Sequence, residues 1–209
     1  MGLLNDADLA ELVLELANQP PDLAGVRLFG VNVLRGFLHA DGPAGRLAAR
    51  ELGAAARPVH AILFDKTAAT NWALGWHQDR VIAVRERVET PGFGPWTRKH
   101  GALHVAPPFE LLARMLTLRV HLDPVPATNG PLLVAPGSHR LGLVPQGEIA
   151  AVVERCGTAA CLAEAGDIWA YSTPILHASE RVHTPAHRLV LQVDYAAEDL
   201  PGGLEWLGL

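Results

Sequence analysis

Cysteine is scarce in this chain. Cys156 and Cys161 are the only two among 209 residues, which is too few for a four-cysteine zinc site or a framework of disulfides. We therefore expect both to be small buried apolar residues rather than reactive or cross-linked thiols.

Clustered positive charge and long apolar runs are also missing. The chain has 17 Lys and Arg against 22 Asp and Glu, a formal net charge of -5. Binding to a nucleic acid backbone depends on clustered Lys and Arg, and no such cluster stands out in this sequence. We therefore expect no nucleic acid partner. No apolar stretch is long enough to cross a bilayer, and the N-terminus lacks the charged start and apolar run of a signal peptide. We expect a cytoplasmic monomer or homodimer without a membrane partner.

The pattern that is present predicts one mainly β domain with flanking helices. The chain is 49% hydrophobic and long enough for one sizeable core. Apolar spacing predicts helices over Asp6 to Asn18 and Ala44 to Ala56, with shorter ones at Phe109 to Arg114 and Gln146 to Arg155. The residues from 84 to 112 are otherwise expected to be mostly loop, because Gly and Pro recur there.

Short β patterns dominate from residue 59 onward. They are Val59 to Phe64, Trp76 to Val84, Met115 to Leu122, Pro131 to Val134, Thr158 to Leu162, Asp167 to Tyr171 and Arg188 to Tyr195. Strands this short and numerous favour a sandwich or jelly roll. We expect a helical cover over residues 1–57 and a β core over residues 58–209 of a single domain.

One constellation suits a metal. In an extended strand His77 and Asp79 point to the same face, and His177 follows far downstream. Two imidazoles and one carboxylate on one face of an octahedral ion leave positions open, as in non-haem Fe(II) oxygenases. A second His-x-Asp, His121 with Asp123, has the same spacing, so the tripeptide alone does not identify the site. Arg188 opens an alternating strand and could clamp a carboxylate bidentately.

Longer motifs resemble a known family. Trp76-His77-Gln78-Asp79, Asn129-Gly130-Pro131-Leu132, Pro136-Gly137-Ser138-His139 and His177-Ala178-Ser179 with Arg188 look like the phytanoyl-CoA dioxygenase family of Fe(II)/2-oxoglutarate-dependent oxygenases. The resemblance implies a double-stranded β-helix, a cupin-like jelly roll. It also implies His77, Asp79 and His177 as iron ligands, and Arg188 as the partner of the far carboxylate of 2-oxoglutarate, assisted by Ser179. Fe(II), 2-oxoglutarate and O2 are then the expected cofactors.

Strand alternation adds further candidates for the site. Thr117, Arg119 and His121 share one face of a strand, and we expect this row to line a polar interior, with Arg119 near the cofactor. Candidate substrate residues are Lys66, Asn71, Gln78, Phe93, Trp96 and His121. The irregular segment from residue 88 to 108 carries Phe93 and Trp96, and two interpretations stay open for it: a lid over the site, or a structural cover on the sheet edge.

The resemblance implies hydroxylation of an unactivated C–H bond in a small molecule, with release of succinate and CO2. Asp79 favours hydroxylation over halogenation, because a halogenase has a small residue there and leaves a metal position for chloride. Two alternatives stay open at this point. One is a cupin-type isomerase or hydrolase that uses Zn or Mn, and the other is a ligand-binding relative without catalysis. The substrate itself is not indicated by the sequence.

Overall fold

The computed structural model describes residues 4–16, 25–30, 32–99, 101–182 and 187–209. Its strands are β1 Val26–Arg27, β2 Arg57–Lys66, β3 Leu74–His77, β4 Ile82–Val84, β5 Trp96–Lys99, β6 Ala102–Val105, β7 Leu116–His121, β8 Leu132–Val134, β9 Ala159–Cys161, β10 Ile168–Ser172, β11 His177–Ser179 and β12 Arg188–Ala196. Its helices are α1 Asp6–Leu16, α2 Asn32–Leu38, α3 Gly45–Leu52, α4 Phe109–Ala113 and α5 Ile149–Cys156. Three-residue 3-10 turns lie at Ala127–Asn129, Ser138–Arg140 and Gln146–Glu148.

Two antiparallel sheets form the framework. The larger has the strand order β1-β2-β12-β7-β10, and the smaller has the order β3-β11-β8-β9. Successive parts of the chain cross from one sheet to the other, so that distant strands become neighbours, as in a jelly roll. The prediction of a mainly β, jelly-roll fold is confirmed.

Helices α1 to α3 cover the outer face of the larger sheet. Alternation along the strands explains this layer, because Leu118 and Val120 of β7 point outward while Arg119 and His121 point to the opposite face. The outward side chains join one buried apolar cluster with Leu12, Leu16, Leu34, Leu38, Ala48, Leu63, Leu191, Val193 and Tyr195. The Tyr195 hydroxyl donates to the Leu38 carbonyl at 3.0 Å, which ties α2 to the sheet.

The predicted helices agree with this layer only in part. Helix α1 begins at Asp6 as expected, and the remainder of its predicted span, residues 17 and 18, lies outside the described residues. Helix α3 ends at Leu52, because Gly53 takes a φ of 90° and stops the helix before the predicted Ala56. Helix α2 was not predicted. None of the described helices has the length and apolar character to span a membrane.

A third sheet replaces much of the expected loop between residues 84 and 112. Strands β5 and β6 form an antiparallel hairpin, and β6 pairs with β4. The loop prediction is therefore wrong for residues 96–99 and 102–105. Three of the four residues of β5 are exposed and polar, as is common on an edge strand, so the apolar alternation that reveals a strand is missing.

Candidate metal and 2-oxoglutarate site

Three side chains converge at one end of the smaller sheet. His77 ends β3 and His177 begins β11, and the two residues are cross-strand partners. The potential donor atoms of His77, Asp79 and His177 all lie within 4.8 Å of one another, and Nε2 of His177 is 4.0 Å from Oδ2 of Asp79. Among the described residues, this is the one group of three or more His, Cys, Asp or Glu close enough to share an ion.

Asp79 reaches this group from a loop and not from a strand. The predicted strand from Trp76 to Val84 is interrupted, since β3 ends at His77 and β4 begins at Ile82. The interruption has a cause in Gln78, whose amide nitrogen donates to the carbonyls of Gly142 at 3.0 Å and Pro174 at 2.8 Å. Its amide oxygen accepts from the Val144 N–H at 2.9 Å. These three bonds make Gln78 an anchoring residue, and it also lines the cavity described below.

Backbone carbonyls orient both imidazoles. Nδ1 of His77 lies 2.8 Å from the Gly75 oxygen, and Nδ1 of His177 lies 3.0 Å from the Ile175 oxygen. A carbonyl only accepts, so each Nδ1 carries the proton and each Nε2 keeps its lone pair. Burial lowers the pKa of His177, and the Asp79 carboxylate opposes that shift. A neutral imidazole is the form that binds a metal.

A cavity of about 630 Å³ opens beside the three side chains. Both sheets contribute to its wall, and the volume is in the range of sites that enclose a small molecule. Arg188 and Ser179 line it. Nη1 of Arg188 donates to the carbonyls of Gly130 and, at 3.4 Å, Asn129, whereas its Nε and the Ser179 Oγ are buried without a hydrogen-bond partner among the described residues.

The charge state of Arg188 suits an anion. The residue is 3% exposed. Burial lowers its pKa to about 10, and the neighbouring Arg119 adds to the shift, yet the guanidinium stays charged at neutral pH. A buried cation with an unused N–H, and an unused hydroxyl on the wall of the same cavity, fit the carboxylate of 2-oxoglutarate. The donor set of the three metal-facing side chains likewise fits Fe(II).

Arg119 also lines the cavity, in agreement with the inward direction expected for its strand face. Its Nη1 donates to Oε1 of Gln192 at 2.8 Å, and its guanidinium lies 5.2 Å from the centre of the Phe64 ring. Gln192 and Phe64 were not predicted as site residues, although Gln192 belongs to the same alternating row of β12 as Arg188. That shared row was the signal that could have found Gln192.

Several other predicted substrate residues are not on the cavity wall. Nζ of Lys66 donates to the Glu180 carbonyl and lies 5.2 Å from the Trp72 ring centre, and burial with Arg188 nearby lowers its pKa to about 8. Asn71 forms two hydrogen bonds with the Val182 backbone, at 2.7 and 3.0 Å. Both residues anchor the segment after β11 through these contacts.

The aromatic pair of the proposed lid lies elsewhere too. Phe93 and Trp96 pack against a buried apolar cluster that includes Val105, Leu111 and Trp206. Within residues 88–108, His100 lies outside the described residues. Of the described residues in this range, Lys99 alone lines the cavity. The placement favours a structural cover over a substrate lid.

His121 and Asp123, the second His-x-Asp pair, are not part of the metal group. His121 is 2% exposed, and burial, with Arg119 and Arg188 nearby, lowers its pKa to about 4, so its imidazole is neutral. Oδ2 of Asp123 accepts from the Leu189 N–H at 2.8 Å and lies 2.7 Å from Nδ1 of His187. His121 is not among the residues that line the cavity, and the Asp123 carboxylate is engaged in holding β12.

Comparison with known proteins identifies the family. The family model described as phytanoyl-CoA dioxygenase (PhyH) matches residues 29–190. The chain belongs to the phytanoyl-CoA dioxygenase family. Membership makes it a non-haem Fe(II)/2-oxoglutarate-dependent dioxygenase, and it favours this activity over the cupin-type isomerase or hydrolase. No match was found among curated proteins.

Solved structures with the same fold agree with this family. HygX from Streptomyces hygroscopicus, with nickel and 2-oxoglutarate bound, is 15% identical with a TM-score of 0.60, covering 93% of this chain and 80% of its own. EctD from S. alaskensis, with 2-oxoglutarate and 5-hydroxyectoine, is 20% identical with a TM-score of 0.61, covering 99% and 73%. AviO1 from Streptomyces viridochromogenes Tue57 is 19% identical with a TM-score of 0.57, covering 93% and 86%. At these identities the likeness concerns the fold.

Proposed function

We propose that this phytanoyl-CoA dioxygenase family member hydroxylates an unactivated C–H bond of a small molecule and converts 2-oxoglutarate to succinate and CO2. One observation carries the proposal. The potential donor atoms of His77, Asp79 and His177 lie within 4.8 Å of one another, and they open onto the same cavity as Arg188. A metal group and a carboxylate clamp facing one space are what this chemistry needs.

In this proposal Nε2 of His77, a carboxylate oxygen of Asp79 and Nε2 of His177 hold Fe(II). When bound, iron and 2-oxoglutarate supply the activation of O2, one atom of which enters succinate and the other the substrate. The carbonyls of Gly75 and Ile175 fix the two imidazoles by their hydrogen bonds to Nδ1. Because those bonds set the tautomer, both rings present their lone pairs without rearrangement.

Arg188 and Ser179 are proposed to bind the far carboxylate of 2-oxoglutarate. The planar fork of an arginine matches a carboxylate, and the buried Ser179 hydroxyl can add a further bond. Arg119, held by Gln192, lines the same cavity and is proposed to lie near the bound cosubstrate. Asp79 is a carboxylate, and this favours hydroxylation over halogenation, since no metal position is released for chloride.

The cavity wall also has an apolar part. Ile62, Phe64, Trp72 and Leu132 line the cavity, so a substrate body can displace water from the site. HygX has been crystallised with nickel, 2-oxoglutarate and hygromycin B, and EctD with 2-oxoglutarate and 5-hydroxyectoine. We take from these relatives that the substrate is a small molecule, without assigning either compound to this chain.

The test is a turnover assay with Fe(II), 2-oxoglutarate and O2. We expect slow formation of succinate in the absence of substrate and faster formation when a substrate from a small-molecule library is present. The product of that reaction should carry one oxygen atom from ¹⁸O2. No succinate under any of these conditions, or succinate formed equally by the Asp79→Ala variant, would refute the proposed function.

A further inference from the structure

The charged side chains on the cavity wall are nearly all positive. Asp79 is the one acidic residue of the described wall, and in the proposed function it belongs to the metal. Against it stand five cations, listed in chain order: Arg27, Arg80, Lys99, Arg119 and Arg188. A single far carboxylate of 2-oxoglutarate needs one of them, so the excess of positive charge calls for a further anion.

Three of these cations already have partners. Arg188 donates to the Gly130 carbonyl, Arg119 donates to Gln192, and Nη2 of Arg80 donates to the Val144 carbonyl at 2.6 Å. Arg27 and Lys99 have no side-chain hydrogen bond and no ion pair to the described residues. Among the described residues of the wall, these two are the cations without such a partner.

Arg27 is the stronger of the two. Its Nε is buried without a hydrogen-bond partner among the described residues, and it faces the cavity. Burial lowers the pKa of Arg27, and the Asp79 carboxylate, which lines the same cavity, opposes the shift. Arg27 as a whole is half-buried, but removing its Nε–H from water without a hydrogen-bond partner costs free energy, and an anion bound there would satisfy it.

The sheet register separates Arg27 from Arg188. Arg27, Ile62, Gln192 and Arg119 form one row across β1, β2, β12 and β7. Arg188 lies four residues from Gln192 along β12, about 13 Å at the usual rise of a strand, and β12 is two strands from β1. The two arginines therefore project from well-separated backbone positions on the cavity wall.

We propose that the substrate carries an oxyanion, a carboxylate or a phosphate, which Arg27 binds with help from Lys99. The apolar body of the substrate packs against Ile62, Phe64 and Trp72. The inference rests on the proposed function, because it takes this cavity to be the substrate site. It adds a substrate class, small organic acids or phosphate esters with an apolar body. Arg27 is then a specificity-determining residue on the part of the cavity wall that β1 contributes.

Matched probe pairs test the charge requirement. Benzoate is compared with benzamide, and hexanoate with hexanamide, because the members of each pair share a shape and differ in charge; phenyl phosphate distinguishes phosphate from carboxylate. The protein is loaded with Mn(II) and saturating 2-oxoglutarate, so that no turnover occurs and the far-carboxylate site is filled. Calorimetry gives the affinity, and relaxation of the probe protons by Mn(II) reports whether the probe lies near the metal.

We expect at least one anionic probe to bind about tenfold or more tightly than its neutral partner, the size of one charge-assisted hydrogen bond. Arg27→Gln should abolish that preference, Arg27→Lys should restore part of it, and Lys99→Gln should reduce it. The affinities for Mn(II) and 2-oxoglutarate should stay within about twofold in all three. Arg98→Gln is the control, since Arg98 is an exposed neighbour of Lys99 in β5 and does not line the cavity.

Two outcomes overturn the inference. The first is that every neutral probe binds wild type as well as its anionic partner. The second is that Arg27→Gln weakens 2-oxoglutarate and leaves the probe preference intact, which would move Arg27 to the cosubstrate. A protein that binds neither Mn(II) nor 2-oxoglutarate, but still prefers anions through Arg27, would contradict the proposed function and leave the anion site standing.

Discussion

His77 and His177 face each other across an antiparallel strand pair, with their Cα positions in register and their ring centroids 4.2 Å apart. The backbone ladder between β3 and β11 therefore sets the spacing of two potential metal donors. Asp79 completes the group from the adjoining loop, where the hydrogen bonds of Gln78 define the path of the chain. A site built in this way needs little rearrangement on binding an ion.

Replacing any one of His77, Asp79 or His177 with Ala should weaken Fe(II) binding by about 100-fold or more, because even the outer partners of metal ligands contribute 10- to 100-fold. Anaerobic equilibrium dialysis measures the effect. His121→Ala and Asp123→Ala are the controls, since they alter the second His-x-Asp pair. Loss of iron in these controls together with retention in His77→Ala would show that the assignment is wrong.

Arg188→Ala should weaken 2-oxoglutarate binding by a factor of about 30 or more, because removing one partner of a buried charge pair costs on the order of 2–5 kcal/mol. Arg188→Lys should recover only part of the affinity, since a lysine does not reproduce a bidentate contact. Anaerobic calorimetry of the Mn(II)-loaded protein gives the values. Arg114→Ala, an exposed residue paired with Glu198, is the control. Unchanged affinity in Arg188→Ala would remove this residue from the site.

Acid should destabilise the protein through His121. The pKa of this buried imidazole is lowered to about 4 in the folded protein from 6.5 in the unfolded chain. Its contribution to stability is therefore present above pH 6.5 and is lost as the pH falls toward 4. Between pH 7 and pH 5 the loss is roughly 2 kcal/mol in the free energy of unfolding.

Urea unfolding at the two pH values tests this prediction. His121→Gln should show a smaller fall between pH 7 and pH 5 than wild type, even though it starts from lower stability. His39→Gln removes an exposed imidazole instead and should keep the wild-type pH dependence. An equal fall in wild type and His121→Gln would mean that this residue does not control the acid response.

The β5–β6 hairpin should behave as structural cover. Strand β6 is paired on both sides, and Phe93 and Trp96 pack against a buried cluster. We expect the amides of Ala102–Val105 to exchange slowly with deuterium and to be unaffected by Mn(II) and 2-oxoglutarate. Fast exchange that slows when the ligands are added would restore the idea of a lid.

The sequence predicted the elements in which apolar residues recur at regular spacing. Strand β12 was expected over Arg188 to Tyr195 and extends one residue further, because Leu189, Leu191 and Val193 alternate with residues on the inner face. The same alternation predicted that Arg119 faces the interior. The resemblance to the family identified the metal group and Arg188. Composition and spacing alone did not distinguish His77 and Asp79 from His121 and Asp123.

Other features had no signal of this kind. The loop position of Asp79 depends on hydrogen bonds from Gln78 to residues more than 60 positions away. Helix α2 has only seven residues and contains Gly36, which lowers helix propensity, so packing of Leu34 and Leu38 stabilises it. Arg27 lies in a strand of two residues, too short for any period, and its place on the cavity wall comes from its pairing with Ile62.

The central claim is that His77, Asp79 and His177 hold iron in the same cavity in which Arg188 holds 2-oxoglutarate. The most direct measurement is an anaerobic titration of the 2-oxoglutarate-loaded protein with Fe(II), followed by the visible charge-transfer absorption of the chelated cosubstrate. We predict a band that saturates at one iron per chain, is lost in Asp79→Ala, and needs much more 2-oxoglutarate in Arg188→Ala. A wild-type protein without this band, or an Asp79→Ala variant that keeps it at full intensity, would contradict the account.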